Sequence, residues 1–226
     1  ETLYGAIRYD DARPMAEIVR ATYIPDLHLI PGNLELMEFE HDTPRALMKR
    51  KIGDTMFFHR ISEVLDQIAP NYDVVVIDCP PQLGYLTLSA LTAATSVLIT
   101  VHPQMLDVMS MNQFLSMTSD LLREISSHGA RFDYNWMRYL VTRFEPSDGP
   151  QNQMVGYLRA IFGENVLNFP MLKTTAVSDA GLTNQTLFEV ERGQFTRATY
   201  DRALEAMNNV NDEIESLIKK AWGRKS

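Results

Sequence analysis

Residues 72–81, Tyr-Asp-Val-Val-Val-Ile-Asp-Cys-Pro-Pro, constrain the fold more than any other stretch of the chain. Four consecutive β-branched apolar residues, without polar alternation, predict a strand buried on both faces at the centre of a parallel sheet. The run ends in Asp78, and Pro80 and Pro81 forbid any continuation of the ladder. Asp78 is thereby expected at the carboxyl end of a central strand, where open α/β sheets bind their ligands. A carboxylate there can hold Mg²⁺, directly or through its waters, beside nucleotide phosphates. It can equally cap the turn that follows, and these residues alone leave both readings open.

A length of 226 residues suits one large domain or two small ones, and 45% apolar with 22% charged residues is ordinary for a soluble globular protein. Cys79 is the single cysteine, so one chain forms neither a disulfide framework nor a Cys-rich zinc or iron–sulfur centre. Its place directly after the apolar run predicts a buried, structural thiol. No run approaches the roughly 18 apolar residues of a membrane span and no signal peptide is visible, so an intracellular, soluble protein is expected. A net charge of −8 argues against a surface that binds nucleic acid all over, but leaves room for a local cationic patch. No G-x-x-x-x-G-K-[ST] occurs, and Lys173-Thr174 follows Asn168-Phe169-Pro170 without a glycine loop. A nucleotide-binding reading therefore expects the phosphate cradle upstream of Glu1.

Taken in order, residues 4–21 read as short helical pieces and 27–30 as a short strand stopped by Pro31-Gly32. Asn33 can cap a helix through about His41. Apolar residues at 57, 58, 61, 64, 65 and 68 predict a helix over 54–69, with Asp54 as its cap. A small-residue helix over 84–94, a buried strand over 97–101 and a long Met- and Leu-rich helix over 105–128 follow. Residues 137–142 read as a third strand, 145–150 as a polar loop, 151–162 as a helix and 166–169 as a short fourth strand. His102 reads as a capping or satisfied histidine. Strands alternating with helices predict an α/β fold, a doubly wound, mainly parallel sheet, in a single domain over 1–226. In the last helix Tyr200, Ala203, Met207, Val210, Ile214, Leu217 and Ala221 form a seam of 3.5-residue period, expected to pack on the domain's own sheet.

The order of features resembles a known family. Residues 72–81, then Gly84, a helix and the strand 97–101 look like the Walker B and switch region of ParA-type partition ATPases, deviant-Walker P-loop proteins related to MinD. Leu29-Ile30-Pro31-Gly32-Asn33 and Arg197-Ala198-Thr199-Tyr200-Asp201-Arg202-Ala203 are similar to the RepA partition proteins of repABC plasmids. The chain departs from the family in lacking the deviant Walker A loop, and is expected to be the downstream part of such an ATPase, with the first strand and P-loop missing.

The resemblance implies ATP and Mg²⁺ as cofactors. Asp78 would organise the metal and catalysis, and residues from Pro81 to Gly84 would form the switch loop. Thr142 and Arg143 match the segment that contacts adenine, and Pro170 and Met171 would lie against the base. It also implies a homodimer when ATP is bound, nonspecific DNA and a ParB-type centromere-binding protein as partners, and a cytoplasmic, nucleoid-associated protein without membrane contact. The candidate DNA cations are Lys173, Arg197, Arg202, Lys219, Lys220, Arg224 and Lys225. Two alternatives remain: a MinD-like membrane-surface ATPase anchored through residues 214–222, and a nonenzymatic DNA-binding or dimerisation module.

Overall fold

The computed structural model describes residues 1–49, 54–80, 82–190 and 197–223, the side chains of 197 and 198 excepted. The chain forms two compact units, Glu1–Thr95 with Met117–Asp133, and Ser96–Ser116 with Tyr134–Ser226.

The first unit is mostly helical. Helix α1 (Leu3–Ile7) precedes two short antiparallel strands, β1 (Arg20–Ala21) and β2 (His28–Leu29), paired Arg20↔Leu29 and Ala21↔His28. Asn33 accepts from Glu35 N at 3.1 Å and opens the turn into α2. Helix α2 (Leu36–Lys49) runs past His41 and through Pro44, further than the sequence suggests. Phe39 and Thr43, both fully buried, anchor its inner face, and that packing outweighs the N–H lost at Pro44.

Of the apolar residues expected to form one helix over 54–69, all are buried except half-buried Leu65, but the backbone is divided. A 3₁₀ turn, Phe57–His59, leads into α3 (Arg60–Asp66), and a second 3₁₀ turn covers Ala69–Asn71. Asp54 lies before these turns and is not the cap. The first turn places the adjacent rings of Phe57 and Phe58 edge to face at 5.3 Å, both in the core. Helix α4 (Tyr85–Ala93) lies against this turn, and Phe57 meets the Tyr85 ring edge to face at 4.9 Å.

The expected central strand does not form. Residues 74–80 join no ladder among the described residues, and Val74, Val75 and Val76 are 46%, 46% and 88% exposed. Ile77 alone of the four packs, in part, against the core of the first unit. An apolar run supplies strand chemistry, but a strand exists only where neighbours satisfy its N–H and C=O groups.

The second unit holds the parallel pair. β3 (Ser96–Val101) and β4 (Trp136–Val141) run in register from Ser96↔Trp136 to Val101↔Val141. Their side chains alternate as a pleat requires. Ile99, Val101, Tyr139 and Val141 face the cluster built with Val108, Met111 and Leu115 of α5 (Met105–Ser127) and Val155 and Leu158 of α6 (Gly149–Phe162). Leu98 and Leu140 face the opposite way, onto Val210, Ile214 and Leu217 of α8 (Arg197–Ala221). Helices therefore cover both faces, the doubly wound arrangement. The seam of α8 packs on the sheet only through Val210, Ile214 and Leu217; Tyr200, Ala203 and Met207 pack instead with Ala176, Ala180, Leu187 and Val190, and Ala221 is exposed. Asp148 accepts from Gln151 N and starts α6 two residues before the expected point, with Pro150 in the first turn. Helix α7 (Thr175–Leu182), capped by Thr174, was not legible as a helix in the sequence.

The expected fourth strand over 166–169 is reduced to parallel bridges, Tyr139↔Val166 and Phe144↔Leu172. Between them the backbone leaves the ladder. Pro170 has no N–H to give, and the amides of Asn168 and Phe169 bond to the Glu213 carboxylate of α8 at 2.9 and 3.2 Å.

Burial predicts how stability divides. In the 226-residue chain, Leu158→Ala, at a fully buried position, is expected to cost about 2–5 kcal/mol in urea unfolding. Val76→Ser is expected to stay within about 0.5 kcal/mol. An equal cost for both would mean that residues 74–78 form the buried strand after all.

Candidate functional site

Asp78 ends the extended segment and is exposed, followed by exposed Cys79 and Pro80. Cys79 is not the buried thiol that the sequence predicts, because the run before it lacks strand neighbours. Its thiol pKa is nonetheless raised, first by partial desolvation and then by the Asp78 carboxylate beside it. Pro81 lies outside the described residues. Gly84 is the N-cap of α4, with φ −105° and ψ −178°, extended backbone open to any residue. What calls for glycine there is space: a Cβ would stand 2.5 Å from Glu40 Oε1.

In the second unit, the four residues matched to adenine contact come together at the carboxyl end of β4. Thr142 N donates to Val101 O at 2.8 Å, Met171 N to Val141 O at 2.8 Å, and Phe144 N to Met171 O at 3.1 Å. Residues 142–143 and 170–171 thus run side by side. Arg143 is exposed and adopts φ 52°, a left-handed conformation costing about 1 kcal/mol for a non-glycine residue. The reversal turns the chain from its bond to Val101 toward Met171. Such strain is frequent where a side chain must be held for a ligand.

Two residues missed in the sequence hold this loop. The Glu213 carboxylate takes the amides of Asn168 and Phe169 and the Asn168 side-chain amide, at 2.9 to 3.2 Å. Arg159 of α6 donates to Asn168 O at 2.9 Å. Segment 168–170 is therefore clamped from two helices. Glu213 precedes a seam residue, and nothing in its spacing distinguishes it from an ordinary surface acid.

The candidate DNA cations do not all present free charge. Lys173 is paired with Glu145, and Lys219 with Glu215 at 2.7 Å. Arg202 and Lys220 are exposed. The side chain of Arg197, together with Arg224 and Lys225, lies outside the described residues. His102 is partnered as expected, its Nδ1 lying 3.0 Å from Asp107 Oδ2. Among the described residues no helix is long and apolar enough to cross a membrane, and no group of three or more metal-ligating side chains occurs.

The second unit is a doubly wound α/β arrangement with Thr142 and Arg143 at the carboxyl end of a parallel strand, the edge at which such folds bind ligands. Comparison with known proteins agrees. A family model described as an AAA domain matches residues 1–128. The chain is 85% identical over 225 residues to "Putative replication protein A" of Rhizobium rhizogenes, covering 99% of this chain and 56% of that protein. It is 30% identical over 178 residues to chromosome partitioning protein ParA of Myxococcus xanthus, covering 79% of this chain and 58% of that one. In fold it resembles the ATP complex of a Cyanothece McdA variant, with a TM-score of 0.72 and 18% identity over 100% of this chain and 76% of that one. The chain belongs to the AAA-domain family, and the proteins it is similar to include ParA-type partition proteins. It spans about half the length of the curated relatives it matches.

The pKa of Cys79 gives a prediction with a definite sign. A raised pKa keeps the thiol protonated at neutral pH, so exposure alone does not make it reactive. Iodoacetamide labelling at pH 7.5 should be slower than for free cysteine, with its half-maximal rate above the ordinary thiol value of about 8.5. A half-maximum at or below that value would contradict the local electrostatics.

Proposed function

We propose that the whole protein is an ATP-dependent DNA-partitioning ATPase. The observation that carries this reading is Asp78, a carboxylate presented to solvent at the end of an apolar extended segment, in a chain of this family. Mg²⁺ at nucleotide sites keeps most of its waters and takes one or two carboxylates besides phosphate oxygens, so a single exposed aspartate suits it without a protein cage. Bound there, Mg²⁺ would supply charge neutralisation for the phosphates. Asp78 orients the metal's waters. In the second unit, Thr142 and Arg143, with the main chain of Pro170 and Met171, are the proposed adenine contacts. Arg143, its backbone already held in the left-handed conformation, reaches the base at the cost of ordering its side chain alone.

The 226 residues contain no Walker A sequence, and the relatives are nearly twice as long. The phosphate cradle of the whole protein is accordingly assigned to the length that these residues do not span. The segment alone should neither bind ATP tightly nor hydrolyse it. The protein is a homodimer when ATP is bound, binds DNA without regard to sequence, and responds to a ParB-type partner in the cytoplasm, on the nucleoid. DNA contact falls to Arg202 and Lys220, with Lys173, Arg197, Lys219, Arg224 and Lys225. Lys173 and Lys219 must give up Glu145 and Glu215 to reach phosphate, which is feasible because exposed ion pairs are worth only about 0–1 kcal/mol. The packing of Val210, Ile214 and Leu217 on the sheet favours this reading over a membrane anchor formed by the same helix.

Asp78→Ala in the whole protein tests the proposal. It should leave the circular dichroism spectrum and unfolding midpoint near wild type while lowering kcat for ATP by at least about a hundredfold. Loss of folding with normal turnover per folded molecule would make Asp78 structural and overturn the reading.

A further inference from the structure

Helix α4 starts at Tyr85, soon after Asp78, and its first amides have no partner within the helix. Its N-cap, Gly84, has no side chain to offer them. The partner comes from α2 instead: the Glu40 carboxylate accepts from Tyr85 N through Oε2 and from Leu86 N through Oε1, both at 2.9 Å. A helix N-terminus carries partial positive charge and favours an anion. Here the anion is one of the protein's own carboxylates, and it withholds both amides from any phosphate.

The fit is close on every side. A Cβ at Gly84 would meet all three atoms of the Glu40 carboxylate group, the nearest at 2.5 Å. The backbone at Gly84 does not demand glycine, so Glu40 does. The same turn is tied further by Thr87 Oγ1, which donates to Gln82 O at 2.6 Å, and by the Phe57 ring against Tyr85. Leu83 and Ile77, one on each side of Asp78 in the chain, both pack on the core of the first unit.

We infer that Glu40 is a positioning residue that latches the start of α4 and, through it, the return of the chain from Asp78. The inference rests on the reading of Asp78 as the metal-orienting carboxylate. Glu40 needs no contact with nucleotide. It acts by holding the backbone after Asp78 to one place, so turnover depends on it more than nucleotide affinity does.

Four variants of the whole protein test this: Glu40→Ala, Glu40→Gln, Gly84→Ala and the Glu40→Ala/Gly84→Ala double. The group that a Gly84 Cβ meets is the end of a flexible side chain, so Gly84→Ala should expel Glu40 and reproduce Glu40→Ala rather than unfold the protein. Amide exchange at Tyr85 and Leu86 should rise about tenfold or more in either single variant, as expected for lost hydrogen bonds to a charged acceptor. The double variant should exchange no faster than the singles, because both remove the same contact. The kcat for ATP should fall about tenfold with KM changed less than about twofold. Glu40→Gln, which keeps one acceptor oxygen, should recover part of both. Unchanged exchange in Glu40→Ala, or additive effects in the double variant, would overturn the latch. Faster exchange at wild-type kcat would reduce Glu40 to a helix cap. A wild-type protein without Asp78-dependent hydrolysis would overturn the Asp78 reading and the positioning role together, and intact exchange coupling would distinguish that failure from a missing latch.

Discussion

The parallel ladder between β3 and β4 is the interaction on which the second unit depends. Its six register pairs bring the carboxyl ends of both strands to the same edge, and each face of the pleat receives its own helices. Without that pairing, Val101 O would not receive Thr142 N. Val141 O would not receive Met171 N, and the two segments read as the adenine contact would have no reason to meet. The candidate residues are thus placed in large part by backbone hydrogen bonds. This explains how an unfavourable φ at Arg143 is tolerated: neighbours on both sides hold the backbone there.

Two carboxylates do for loops what the ladder does for strands. Glu213 takes the amides that Asn168 and Phe169 would have given to a fourth strand, and Glu40 takes the first amides of α4. In each case an N–H that sheet or helix cannot satisfy is met by an acid from a different helix. Each therefore joins elements that are distant in sequence: α8 to segment 168–170, and α2 to the chain after Asp78. The acidic balance of the protein is in this respect partly structural. The net charge of −8 includes carboxylates that serve backbone amides or the cations of surface ion pairs.

Residues whose role follows from local pattern were legible in the sequence. The apolar runs at 97–101 and 137–142 gave strands close to their observed ends, and the 3.5-residue seam gave the inward face of α8, of which Val210, Ile214 and Leu217 pack on the sheet. The family was legible too, from residues 72–81 and their setting. Features that depend on partners distant in sequence were not legible. The valines at 74–76 have strand chemistry but no ladder here, so the burial predicted for them and for Cys79 fails for the same reason. The helix expected over 54–69 divides into a 3₁₀ turn, α3 and a second 3₁₀ turn at Pro70, breaks that its apolar spacing does not mark. Glu40 and Glu213 gave no signal, since nothing local separates a carboxylate that caps a distant backbone from one in solvent.

The central claim is that residues 142–143 and 170–171 form the base-binding edge of an ATP site. Photo-crosslinking of 8-azido-ATP to the whole protein in the presence of Mg²⁺, followed by peptide mapping, tests it most directly. The account predicts label on peptides containing Thr142 and Arg143 or Pro170 and Met171, with competition by unmodified ATP. Competable label confined to peptides remote from both segments would contradict it.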